Sequence, residues 1–146
     1  MPESTSKVCI VTGASSGIGF AAARRFANEG YKLVLCGRRK DAMDRALGEL
    51  EKLTTCHATV GDIGEVDTQQ DLFDKTLEQF GRIDVLVNNA GSAPLGEFDS
   101  IETSVFETVI DVNIRAVFSM SQLVWPVMRK QGCGTIVNIS SMAAVN

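Results

Sequence analysis

Five short apolar runs, each followed by a stretch of helical period, constrain this chain more than any other feature. Residues 8–11, 33–36, 56–60, 83–87 and 134–139 read as strands. After the first run, Ile18, Ala22 and Phe26 trace one helical face that ends near Gly30. Met43, Ala46, Leu47, Leu50 and Leu53 mark a second helix, and Val66, Phe73, Leu77 and Phe80 a third, closed by Gly81. A long helix is expected over roughly 104–130, with Val117, Met120, Ser121, Val124 and Met128 on one side and a bend at Pro126. Strongly apolar strands alternating with amphipathic helices require right-handed crossovers. They therefore form a parallel sheet with helices on both faces, a doubly wound α/β fold. At 146 residues, with no linker or repeat, the chain is expected to be a single domain spanning 1–146.

The first strand empties into Thr12-Gly13-Ala14-Ser15-Ser16-Gly17-Ile18-Gly19 and then into a helix. A turn without Cβ atoms lets backbone N–H groups approach a pyrophosphate, and the helix N-terminus adds partial positive charge. The fold is thus expected to be Rossmann-like, with Gly13, Ser15, Ser16, Gly17, Ile18 and Gly19 as cofactor-binding residues. In such sheets ligands gather at the carboxyl ends of the strands. The notable polar clusters all fall there: residues 13–19, 37–39, Asp62, 88–91 and 140–141. About twenty residues after the turn, NAD binders place a carboxylate for the ribose 2′-hydroxyl. Here the corner reads Cys36-Gly37-Arg38-Arg39, with no acid before Asp41. A guanidinium pairs bidentately with a 2′-phosphate that a carboxylate would repel, which favours NADP(H) over NAD(H). An ordinary solvated loop is the other reading of this corner, most readily for Arg39.

Composition narrows the remaining classes. Apolar content of 45% fits a soluble globular chain, and a formal charge of −4 argues against nucleic acid or an anionic membrane as partner. The start is polar, and no apolar stretch is long enough to span a bilayer; a cytoplasmic location is expected. Cys9, Cys36, Cys56 and Cys133 lack C-x-x-C spacing, and three fall in or beside strands, as reduced buried thiols do. His57 is the only histidine, and no metal site is expected because such sites need several convergent ligands. Asn138-Ile139-Ser140 matches a glycosylation sequon that is expected to be silent.

Taken together, these motifs resemble the short-chain dehydrogenase/reductase family over essentially the whole chain. Thr12-Gly13-x-x-x-Gly17-Ile18-Gly19 is similar to the family's cofactor turn, and Asn88-Asn89-Ala90-Gly91 to its motif after the fourth strand. Asn113 resembles the catalytic asparagine of the long helix, and Ser141, in Asn138-Ile139-Ser140-Ser141, the catalytic serine. The resemblance implies that Asp62 contacts adenine with Ile63 beside it. Asn89, Ala90 and Gly91 would line the nicotinamide ribose, and Asn88 would brace the sheet. On the residues alone, Asn88 and Asn89 could cap a strand end, and Ser140 or Ser141 the turn that follows. Asparagine is a poor helix former, so Asn113 in mid-helix suggests use.

The same resemblance implies a tyrosine acting as general acid or base, with a lysine four residues later. A phenol of pKa near 10 needs that positive charge to work near neutrality. After Ser141 come only Met142-Ala143-Ala144-Val145-Asn146. The one tyrosine, Tyr31, is followed four residues on by Leu35 and enters the second strand at the far end of the sheet. The chain is therefore expected to be a C-terminally incomplete enzyme without turnover of its own, its last strand left as an apolar edge. The complete protein would act on a small carbonyl or alcohol and form a homo-oligomer. The alternative is a non-catalytic NADP(H)-binding or protein-interaction module.

Overall fold

The computed structural model describes residues 6–94 and 96–141. The residues at 1–5 and the tail at 142–146 lie outside it. The elements alternate: β1 (Val8–Thr12), α1 (Gly17–Asn28), β2 (Lys32–Gly37), α2 (Lys40–Leu50), β3 (Cys56–Val60), α3 (Val66–Phe80) and β4 (Val85–Asn88). A 3-10 turn (Phe98–Ser100) leads to α4 (Thr103–Ile110), a π-helical turn (Asp111–Arg115), α5 (Ala116–Gln131) and β5 (Thr135–Asn138). The strands form one parallel sheet in the order β3-β2-β1-β4-β5. The chain thus steps outward from β1 on one side and then returns to its other side. The junction between β1 and β4 is the topological switch point of the sheet. Among the described residues, no helix is long and apolar enough to cross a membrane.

Strand residues alternate between two cores because successive side chains point to opposite faces. Val8, Ile10, Val34, Cys36 and Leu86 pack with Leu72, Met120, Val124 and Met128 from α3 and α5. Cys9, Val11, Leu33, Leu35, Val85 and Val87 pack with Ala23, Ala27, Met43 and Leu50 from α1 and α2. Helices therefore cover both faces, as the alternating pattern predicts. β5 is an edge of the described sheet, and Ile139 just after it is largely exposed.

Four helical expectations are corrected. On α1 the buried residues are Gly19, Ala23 and Ala27, while Ile18 is 66% exposed. A helix that begins directly after a tight turn lies close to the sheet, so only small side chains fit between them. On α3, Val66 is 72% exposed, and Gln69, Leu72 and Thr76 are buried instead. Leu53 lies beyond the end of α2 and is exposed. The expected long helix is interrupted at Asp111–Arg115, and α5 runs through Pro126 to Gln131. The π turn absorbs one extra residue and rotates the buried stripe that follows.

At the amino end of the sheet, Asp84 ties three strands together. Its Oδ2 accepts a 2.8 Å hydrogen bond from the Val8 N–H, its N–H donates to the Val8 carbonyl at 2.9 Å, and its carbonyl accepts from Thr135 N–H. Arg82 clamps the carboxylate through Nε and a terminal nitrogen at 2.8 and 2.6 Å. Burial opposes ionisation of this carboxyl, which is only 6% exposed. The Arg82 and Val8 hydrogen bonds and the charges of Arg82 and Lys7 outweigh that penalty and hold its pKa below the ordinary value. The interaction is complete above the unfolded carboxyl pKa and is lost as pH falls through the lowered folded value. Asp84→Asn should destabilise the fold by about 2–4 kcal/mol in denaturant unfolding. It should also flatten the loss of stability below about pH 4. An unchanged acid limb would remove Asp84 from this role.

Cys9, Cys36 and Cys56 are buried and Cys133 is exposed. Burial, reinforced by Asp62 and Asp71, pushes the Cys36 thiol up to about 12, and burial with Glu51 does the same for Cys56. Burial raises Cys9 as well. Such thiols carry almost no nucleophilic thiolate near neutrality. An aromatic disulfide reagent should therefore titrate one thiol promptly in the native chain, and Cys133→Ser should remove that phase. Prompt reaction of a second cysteine would contradict the burial.

Candidate functional site

A cleft of about 650 Å³ opens across the carboxyl ends of the first four strands. Gly13, Ser15 and Ser16 enter it from the turn after β1, and Cys36, Gly37, Arg38 and Arg39 from the end of β2. Gly61, Asp62 and Ile63 follow β3; Asn89, Ala90 and Gly91 follow β4; Val112 reaches in from the π turn.

The centre of the cleft is the contact between the β1 turn and the β4 loop. Gly13 has a φ of +63°, and a Cβ there would sit 2.8 Å from the Ala90 Cα. A Cβ on Gly19 would strike the Gly13 carbonyl oxygen and the Asn89 amide. The Thr12 hydroxyl oxygen accepts hydrogen bonds from the Asn89 and Ala90 N–H groups, both at 3.0 Å. In return, the Asn89 side-chain amide donates to the Thr12 and Gly13 carbonyls at 3.1 Å. α1 starts with no side-chain cap from Ser16 and no acid in its first turn. Its leading N–H groups and positive dipole end are therefore left to whatever enters the cleft, the arrangement that suits an anion. Gly17, Ile18 and Gly19 shape this turn and helix start without lining the cleft wall.

Charge at the β2 corner is uneven. Lys40 pairs with Asp44 at 2.6 Å, and Arg45 holds Asp41, the nearest acid after the corner, at 3.3 Å. Arg38 and Arg39 are exposed, and among the described residues neither guanidinium has a hydrogen-bond or ion-pair partner. Two free cations thus border the cleft where a carboxylate would select a plain ribose.

The third wall is the loop between β3 and α3. Asp62 turns its Oδ1 toward the Gly64 N–H at 2.9 Å, and its carbonyl accepts from Glu65 N–H at 3.0 Å. Gln69, buried on α3, donates its side-chain amide to the Ile63 carbonyl at 2.8 Å.

Asn88 braces the sheet, donating to Asn138 Oδ1 at 2.9 Å and to the Ser121 hydroxyl at 3.4 Å. Asn113 stands on the π turn that interrupts the expected long helix. Its amide is doubly used on Ser92, accepting from the N–H and donating to the carbonyl, each at 2.8 Å. It thereby anchors the residue next to Gly91. Ser141 lies three residues beyond β5, exposed, and is not part of the cleft wall. Tyr31 precedes β2, with its carbonyl bonded to Thr54 and its ring against Phe26, at the opposite end of the strands.

Thr12, Val112 and Gln69 are contributors to which motif reading assigned no role. Val112 was hidden because a continuous helix does not predict which residue a π turn pushes inward. Gln69 left a fainter trace. Together with Thr76 it fills the positions in the Val66, Phe73, Leu77, Phe80 series where the helical period calls for a buried residue.

The short chain dehydrogenase family matches residues 7–146. The 3α-hydroxysteroid dehydrogenase of Mediterraneibacter gnavus is 37% identical over 146 aligned positions, covering 96% of this chain and 57% of that enzyme. L-sorbose reductase from Gluconobacter frateurii, solved with NADPH and L-sorbose, gives a TM-score of 0.91 at 30% identity, covering 97% of this chain and 54% of its own. A 7α-hydroxysteroid dehydrogenase complexed with NADH and 7-oxo glycochenodeoxycholic acid gives 0.90 at 35% identity, with coverage of 96% and 55%. The chain thus spans about half the length of the relatives it matches. With the glycine turn, the sheet order and the family match all in agreement, this chain belongs to the short chain dehydrogenase family.

Proposed function

We propose that this chain carries the NADP(H)-binding half of an oxidoreductase that transfers hydride to or from a carbonyl or secondary alcohol. The observation that carries the cofactor choice is the pair of unpartnered guanidiniums, Arg38 and Arg39, at the cleft corner. A ribose 2′-phosphate would give them a bidentate anionic partner, whereas a plain ribose would leave both cations unmatched. Asp41 does not compete for them, since Arg45 already holds it.

In this reading the N–H groups around Gly13, Ser15 and Ser16, with the α1 N-terminus, hold the pyrophosphate. Gly17, Ile18 and Gly19 keep the turn tight. Asp62 and Ile63 face the adenine, and Asn89, Ala90 and Gly91 line the nicotinamide ribose. The dinucleotide would supply or accept the hydride when bound. Ser141 polarises the substrate oxygen and Asn113 positions water on the proton path. Tyr31 is not the general acid or base in this reading, because it is a strand's length, roughly 15–20 Å, from the cleft. In this reading the whole protein is cytoplasmic and self-associating.

Titration followed by coenzyme fluorescence should show NADPH binding at least about tenfold more tightly than NADH. Arg38→Glu should weaken NADPH by about ten- to a hundredfold and leave NADH within a few-fold. Equal affinity for the two coenzymes would overturn the NADP(H) assignment. The 146-residue chain should bind without oxidising NADPH in the presence of small aldehydes or ketones. Measurable turnover would show that a proton donor other than tyrosine is in use.

A further inference from the structure

Gln69 is out of place as a packing residue. It is 3% exposed, on a helix stripe shared with Leu72 and the sheet core. An aliphatic side chain would fill that position without the desolvation cost of a primary amide. The amide Nε2 is committed to one acceptor, the Ile63 carbonyl, at 2.8 Å. Ile63 is a cleft-lining residue whose side chain also packs in the core.

The other bonds of this loop show what Gln69 adds. Gly61 N–H donates to the Gly37 carbonyl at 3.0 Å and fixes the end of β3. Asp62 binds Gly64 and Glu65 within its own turn. Those two bonds hold the shape of the turn but not its angle to the cleft. The hydrogen bond from Gln69 is made from outside the turn, by a helix already fixed on the sheet.

We propose that Gln69 is a positioning residue for the adenine end of the dinucleotide. Its hydrogen bond to the Ile63 carbonyl sets the angle at which Asp62 and Ile63 meet the ligand. The inference rests on the dinucleotide reading above and extends it to a residue that touches no ligand atom.

The test uses 2′,5′-ADP, the adenine half alone, with calorimetry on the chain and on Gln69→Met, which keeps length and volume but has no donor. Affinity for 2′,5′-ADP should fall about three- to tenfold with the stoichiometry unchanged, since one hydrogen bond to a preorganised loop is lost. A merely structural role would lower the melting temperature or the stoichiometry and leave the dissociation constant alone, and that result overturns the inference. A second measurement needs no variant. In nitrogen-15 spectra of the unmodified chain, the Gln69 side-chain amide and the Gly64 backbone amide should shift together as 2′,5′-ADP is added. Binding that leaves the Gln69 amide unmoved overturns the inference while keeping the dinucleotide site. An unmodified chain that takes up no 2′,5′-ADP overturns the NADP(H) reading of the cleft, and the role of Gln69 that rests on it.

Discussion

Everything at the carboxyl edge of this sheet depends on the contact between Thr12 and Asn89. One hydroxyl accepts two backbone N–H groups from the β4 loop, and one amide returns two hydrogen bonds to the β1 turn. The pair spans the switch point, where β1 and β4 run side by side while their connections diverge to opposite sides. A crevice is unavoidable there in a doubly wound sheet. Without the latch, two glycine-containing loops would each lose order independently. With it, the glycine turn after β1 and the loop at residues 89–91 behave as one surface.

The glycine pattern is the steric counterpart of that latch. Gly13 is small because the β4 loop lies where its side chain would be, and Gly19 because the Gly13 carbonyl and the Asn89 amide do. At the other end of the strands, Asp84 does the purely structural half of the work, tying β1, β4 and β5 with a buried carboxylate clamped by Arg82. The sheet is held at both ends. The carboxyl end keeps an open cleft beside the uncapped start of α1.

The interruption of the long helix connects the two functional regions. The π turn places Val112 in the cleft and Asn113 on Ser92, so that the segment after β4 is held by a helix packed on the sheet. A regular α-helix offers neither contact, because its side chains advance by a fixed angle. Asn113 was recognisable as a residue ill suited to mid-helix. That its amide would pair with the backbone of Ser92 was not, since that residue lies 21 positions away.

Sequence alone determined the succession of elements along the chain: five apolar runs, the glycine turn after the first, and polar clusters at the strand ends. Each of these is encoded within a dozen neighbouring residues by period or by stereochemistry. It also marked out Arg38 and Arg39 by the lack of an acid before Asp41. Which helix stripe turns inward was decided only by tertiary packing, as Ile18 and Val66 show. Their exposure follows from how closely a helix approaches the sheet, and local periodicity carries no measure of that distance. The roles of Thr12, Asp84 and Gln69 were likewise settled by folding. The Thr12–Asn89 and Val8–Asp84 pairs are each more than seventy residues apart in the chain, and the hydrogen bond of Gln69 depends on where a buried helix meets a loop. A hydrogen bond is a statement about distance in space, and the sequence order records only distance along the chain.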